Sequence, residues 1–295
     1  MDLAYKIPSF LQLKLDGVEA PPQVSDADAE ATGPASRRSS VPLRAPGLRV
    51  SRTVRPVVSL SSRAAAASVP MPAETAANAV CFTVEGEEPS FDAHWAPSIR
   101  AIGAEAEGRE FFDVVVEAYR EPQRRRHGLG LVAEGLAWLE AWREEAGNVH
   151  ELALAIWLKD VVLDPRRHDN EGRSGRLALE GLGRVGVPLP AARRIRDLIV
   201  ATRPDARPFT QDARLLVDID LAILGAPAKD YQAHERALRE EMAFISDFVW
   251  RRRRIESVKG MLARSRIFHT DVVHKALDAR ARENLAATLE RLLGD

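Results

Sequence analysis

A chain with a single cysteine, Cys81, can form no internal disulfide and no cysteine-based zinc site, and that usage fits a reducing compartment. Nor does it contain an apolar run near the ~20 residues of a membrane-spanning helix. The opening stretch MDLAYKIPSFLQLKLDG has only Lys6 and Lys14 as cations and is interrupted by Pro8, which makes a poor secretory signal. An excess of one charge is missing as well. The formal net charge is -1, so global electrostatics direct the chain to neither nucleic acid nor membrane. From Phe91 onward strand-like alternation is absent, and so is any internal repeat. Over residues 31–72 there is no aspartate or glutamate, while seven arginines stand among prolines, serines and alanines.

That acid-free stretch sustains no 3.6- or 2.0-residue period. It has too little apolar surface to offset a chain entropy of about 1–2 kcal/mol per residue. The composition therefore predicts a long irregular N-terminal arm over residues 1–90. Its centre resembles an organellar transit peptide, but Asp16, Glu19, Asp26, Asp28 and Glu30 precede it. The expected location is inside the cell, in the cytoplasm or the mitochondrial matrix. The arginines read either as a solvated tether or as an arm lying on an acidic partner, whether other protein subunits or RNA. A short apolar stretch, AVCFTVEG at 79–86, reads as a strand or an extended anchor before the globular part.

From Phe91 onward the pattern is helical, and 91–295 is expected to be an all-α domain. Helical spacing of apolar residues marks 111–119, 129–145, 150–162, 177–185, 192–202, 213–224, 234–254 and 281–293. Gly147, Pro165, Pro188, Pro204 and Pro227 fall between these segments, as helix breakers should. Roughly 200 residues of such sequence can bury one substantial core. Trp138, Trp142, Trp157 and Trp250 are expected as core or interface anchors. The run Arg251–Arg254 is expected to spread around its helix axis rather than form one flat patch.

Acidic and imidazole groups sit at three places where burial would be costly. His127 opens the helix HGLGLVAEGLAWL, Asp160 lies within ALAIWLKDVVLDP, and Asp218 and Asp220 lie within LLVDIDLAIL. A carboxylate in a buried helical run costs several kcal/mol unless it is paired, protonated or bound to a metal. One such aspartate is ordinarily a cap or an ion pair. Two such helices together with a helix-borne histidine are what a metal site in a helical bundle requires.

The residues AYREPQRRRHGLGLVAEGL, then ELALAIWLKDVVLDPRRHDNEGRSGRLAL, LLVDIDLAILGAPAKDYQAHERALREE, SRIFHT and ARENLAATLERLL follow one another in order over 91–293. Together they resemble a family of HD-superfamily metal-dependent phosphohydrolases. The resemblance implies an HD-domain helical bundle. It places His127 at the first metal-ligand histidine, Asp160 at the aspartate of the His-Asp pair, and Asp218 at the distal aspartate, with Asp220 close behind. Asp169, Asn170, Glu171 and Ser174 match the family's D-N-E-x-x-S element on the substrate side. Asp160 and Glu171 are thus the catalytic candidates, and Arg124, Asp169 and Asn170 the candidate phosphate contacts. Four histidines of the pattern are missing: Lys159 replaces the one of the His-Asp pair, while Gln123, Leu131 and Asp205 stand at the others.

Lysine for histidine changes the chemistry of the position. Neutral imidazole offers a lone pair at pH 7, whereas an ammonium has three donors and no acceptor. Deprotonating Lys159 at pH 7 would cost about 3.4 pH units, or roughly 4.6 kcal/mol. An ammonium sitting in the metal's place and neutralising Asp160 and Asp218 is the less costly outcome. Three functions follow as expectations. The first is a non-catalytic, degenerate HD protein with no cofactor, serving as a structural or interaction subunit of an assembly. The second is a divalent-metal phosphohydrolase acting on a nucleotide or other phosphate ester, with a reduced site of His127, Asp160, Asp218 and Asp205. The third is a nucleotide sensor without turnover.

Overall fold

Over residues 89–294, which a computed structural model of the chain describes, the 3.6-residue patterning gives helix alone: 70% of the residues are helical and none is in a strand. The α-helices are α1 (Ala96–Ala101), α2 (Arg109–Tyr119), α3 (Leu129–Ala141), α4 (Val149–Leu158), α5 (Asn170–Arg184), α6 (Leu189–Ala201), α7 (Gln211–Leu221), α8 (Ala228–Glu241), α9 (Asp247–Leu262) and α10 (Asp271–Gly294). A π-helical turn at Phe91–Trp95 precedes α1, and 3-10 turns follow at Arg143–Glu145 and Ala222–Gly225. The irregular arm expected over 1–90 and the apolar stretch at 79–86 lie outside the described residues, except for Pro89 and Ser90. No described helix is long and apolar enough to cross a membrane.

The centre of the bundle is α4. Every residue from Glu151 to Leu158 is buried. A helix that is apolar on all sides has no stable place but the interior, and α1, α3, α5, α6 and α7 pack around it. Its start is fixed by Asn148, whose Oδ1 accepts from the His150 and Glu151 amides at 3.2 and 3.1 Å. Its one buried acid, Glu151, meets Arg194 of α6 at 2.6 Å. Close approach of α3 depends on Gly135, where a Cβ would sit 2.8 Å from Ile156 Cγ2. Trp95, Phe112 and Trp157 meet edge-on with centroids 5.3–6.0 Å apart, and Trp138 stacks on Trp142 at 4.4 Å. Trp250 differs from these core residues: it is half-buried with the Arg239 guanidinium 5.7 Å from its ring.

The C-terminal helix is fastened by the residues of its A-R-x-N-L run. Asn284 donates to the carbonyls of Leu224 and Ala226, both at 2.8 Å. Arg282 reaches the carbonyls of Leu262, Arg264 and Ser265 and pairs with Asp278 at 2.6 Å. These contacts tie α10 to the 3-10 turn and to the end of α9.

Two expected helices have different bounds. The helix expected over 150–162 stops at Leu158, which leaves Lys159 at its C-cap and Asp160 in the following turn. The single run expected over 234–254 is broken into α8 and α9 at residues 242–246, where Ser246 Oγ accepts the Val249 amide as an N-cap. Along α9 the four arginines do diverge. Arg254 turns inward to Glu235, Arg251 donates to the Leu292 carbonyl, and Arg252 pairs with Glu256 on the surface.

Candidate functional site

Where α4 ends, Lys159 lies against α7. Its side chain is only 7% exposed, and its ammonium bridges Asp160 and Asp220, at 2.6 Å in the latter case. Burial alone would pull the lysine pKa down. The two carboxylates outweigh burial and hold it well above the ordinary lysine value. Burial likewise pushes the Asp160 carboxyl up, and Lys159, with His127 and Arg124, brings it below the ordinary value. The Lys159 ammonium and the Asp160 carboxylate are therefore charged together at neutral pH. The crevice beside them, walled by Leu131, Gly135, Trp138, Ile156 and Ile223, has a volume of about 10 Å³. That is room for one water at most.

The neighbouring groups come from the 119–127 segment and α8. The Tyr119 hydroxyl is fully buried close to Asp160, and burial raises its pKa. Arg124 is expected to contact phosphate, but its side chain is 2% exposed and faces inward. It donates to the carbonyls of Asp160 and Val161 at 2.6 and 2.9 Å and lies 5.2 Å from the Tyr119 ring centroid. Arg124 thus satisfies carbonyls of the turn that follows α4, and this use removes it from any ligand. His127 Nδ1 meets Glu241 Oε2 at 2.6 Å, and the His127 amide donates to the same carboxylate. Arg126 pairs with Glu134 at 3.0 Å.

Asp218 belongs elsewhere. Fully buried, it accepts the His269 and Thr270 amides at 2.7 Å each and the Thr270 hydroxyl at 2.6 Å. Burial pushes its carboxyl up, and these donors hold it back. The two lone-pair-rich oxygens are committed to the turn before α10, and it is Asp220 that reaches Lys159. Asp205 is in an exposed ion pair with Arg203 at 2.9 Å.

The D-N-E-x-x-S element builds a loop. Asn170 Oδ1 accepts the Asp164 amide, and its Nδ2 donates to the Asp164 carbonyl, both at 2.9 Å. Ser174 Oγ both accepts from and donates to the Val162 backbone. Asp169 is on the surface, where the hydrogen-bonded Arg167 guanidinium lowers its pKa to about 2. Glu171 lies half-buried in the first turn of α5. Sequence reasoning overlooked Glu241, Tyr119 and the Arg126–Glu134 pair. Of these, only Glu134, an acid seven residues after His127 in an apolar helix, left a visible signal.

The residues present do not fit a divalent ion. The position between Asp160 and Asp220 holds an ammonium, Asp218 faces away, and His127 Nδ1 is engaged by Glu241. Among the described residues no three His, Cys, Asp or Glu side chains converge as metal ligands would.

One histidine of α8, His234, should make the region sensitive to acid. The ring Nδ1 of His234 in α8 is buried with no partner among the described residues, and burial, with Arg126, Arg254 and His127 nearby, puts its pKa well below 6.5. The folded state therefore keeps it neutral, while the unfolded chain protonates it near 6.5. Its contribution to stability is full above that pH and falls as pH drops, by up to about 1.4 kcal/mol per pH unit. Thermal melts at pH 7.5 and pH 5 should show a smaller acid-induced drop in His234→Phe than in the unaltered chain. Equal drops would locate the acid sensitivity elsewhere.

No family model, curated protein or solved structure matches this chain.

Proposed function

We propose that this chain is a degenerate, non-catalytic relative of the HD-type phosphohydrolases, retained as a structural or interaction subunit of a larger assembly. The observation that carries the reading is the buried ammonium of Lys159 between Asp160 and Asp220. A lysine at that position supplies the positive charge that two carboxylates need, but no acceptor through which an ion could be held or a water activated. The crevice beside it has room for one water at most. With Arg124 turned inward and Asn170 and Ser174 committed to their own loop, the residues of the substrate side act as scaffold. In this reading the arginine-rich arm makes the contact with other subunits.

The test is metal analysis of the purified full chain beside a nucleotide phosphatase screen with manganese, iron or magnesium. Substoichiometric metal and no metal-dependent turnover are expected. Lys159→His should raise manganese affinity in titration calorimetry, because it exchanges three donors for a lone pair. Stoichiometric divalent metal that is lost in Asp160→Ala would overturn the proposal in favour of a phosphohydrolase.

A further inference from the structure

A groove of about 460 Å³ lies between the N-terminal turn, α1, α3 and α4. Its walls are mostly apolar and include Pro89, Ala93, Pro97, Leu136, Ala137 and Ala153. The volume is that of a site able to enclose several side chains. The chain enters the described region here: Pro89, the first described residue, is buried and lines the groove.

The residues just before Pro89 are therefore delivered to this groove by covalent connection. They include the one apolar stretch close by, AVCFTV at 79–84, separated from Pro89 by Glu85, Gly86, Glu87 and Glu88. Phe82 is seven residues from Pro89, within roughly 25 Å of extended chain. A tether this short gives the segment an effective concentration on the order of millimolar at the groove, before any contact is made. The preceding stretch, rich in arginine, proline and serine, offers no aromatic anchor over 31–63.

We propose that residues 79–84 of the same chain dock in this groove, with Phe82 as the anchor, so that the arm leaves the bundle from a fixed point on α3 and α4. The proposal does not depend on the reading of the Lys159 site. It converts the arm from a tether of undefined origin into one whose exit direction is set by the fold.

Cys81 is the only thiol of the chain and adjoins the anchor, so its alkylation rate by a small maleimide reports on docking. In the full chain Cys81 should react at least about tenfold more slowly than in urea-unfolded protein, because access controls thiolate reactivity. Ala137→Glu, at an exposed position in the groove wall, and Phe82→Asp should each restore fast reaction without changing the circular dichroism spectrum. Ala93→Glu, on the opposite wall, serves as the second groove variant if Ala137→Glu perturbs the helix. Fast alkylation in the unaltered chain overturns the proposal. So does protection that survives the groove variants, which would put the segment elsewhere. Protection that fades on dilution makes a second copy the donor of the segment and overturns the intrachain form.

Discussion

Lys159→Met is expected to lower the melting temperature by about 6–12 °C, which corresponds to roughly 3 kcal/mol for a domain of this size. Removing one partner from a buried charge pair costs about 3–5 kcal/mol, because the remaining charge stays buried without compensation. Here two carboxylates are left facing each other. Asp220 is 32% exposed and retains some hydration, which places the cost at the low end of that range; Asp160, at 17%, retains little. Adding Asp160→Asn to Lys159→Met should recover part of the loss. The pH dependence has a definite sign. The lysine pKa is raised, so its contribution is complete below 10.5 and is lost as pH rises beyond it. The Asp160 pKa is lowered, so its contribution is complete above 3.8 and is lost as pH falls further. A melt of Lys159→Met within a degree of the unaltered chain would show that the ammonium does not hold the site together.

Asp218→Ala should be at least as damaging, through a different part of the bundle. Three donors that now end on this carboxylate would lose their acceptor in a buried place. At about 1–3 kcal/mol for each buried group left unsatisfied, a loss of at least about 3 kcal/mol is expected. The damage should concentrate at the entrance to α10, where Asp218 and Asp278 secure the backbone of residues 267–270. Hydrogen exchange of the His269 and Thr270 amides should accelerate by more than that of the α4 amides. This outcome separates a structural acid from a metal ligand. A ligand aspartate could be removed with little loss of apo stability, and an Asp218→Ala variant as stable as the parent would contradict the hydrogen bonding described above.

The D-x-D pair shows how far the sequence could be read. Residues two apart on a helix point about 200° away from each other, so Asp218 and Asp220 could not both face one site. The spacing shows that they separate. It does not show which one turns toward Lys159, because both are flanked by apolar residues in LLVDIDLAIL. The all-α architecture was legible from the long 3.6-residue periods, and the central position of α4 from its unbroken apolar run. The α8–α9 break was harder, since EEMAFISDF has neither glycine nor proline. Its one mark is Ser246, a capping residue within a sequence that would otherwise continue as helix. The orientation of Arg124 was not legible at all. Its acceptors are backbone carbonyls 36 and 37 positions away, and a carbonyl has the same chemistry whatever its side chain.

Supplying the central charge as a side chain also changes what the fold answers to. A bound ion stabilises by mass action, in proportion to the logarithm of its free concentration, and a chelator or a competing ion can take it away. The Lys159 ammonium is covalently part of the chain, so its stoichiometry is fixed at synthesis and it cannot be exchanged for a cation of another kind. On the reading proposed above, assembly of this part of the bundle does not wait for an ion to be delivered. Its stability should be indifferent to chelators, and the Lys159–Asp160 contribution should answer to proton concentration only below 3.8 and above 10.5.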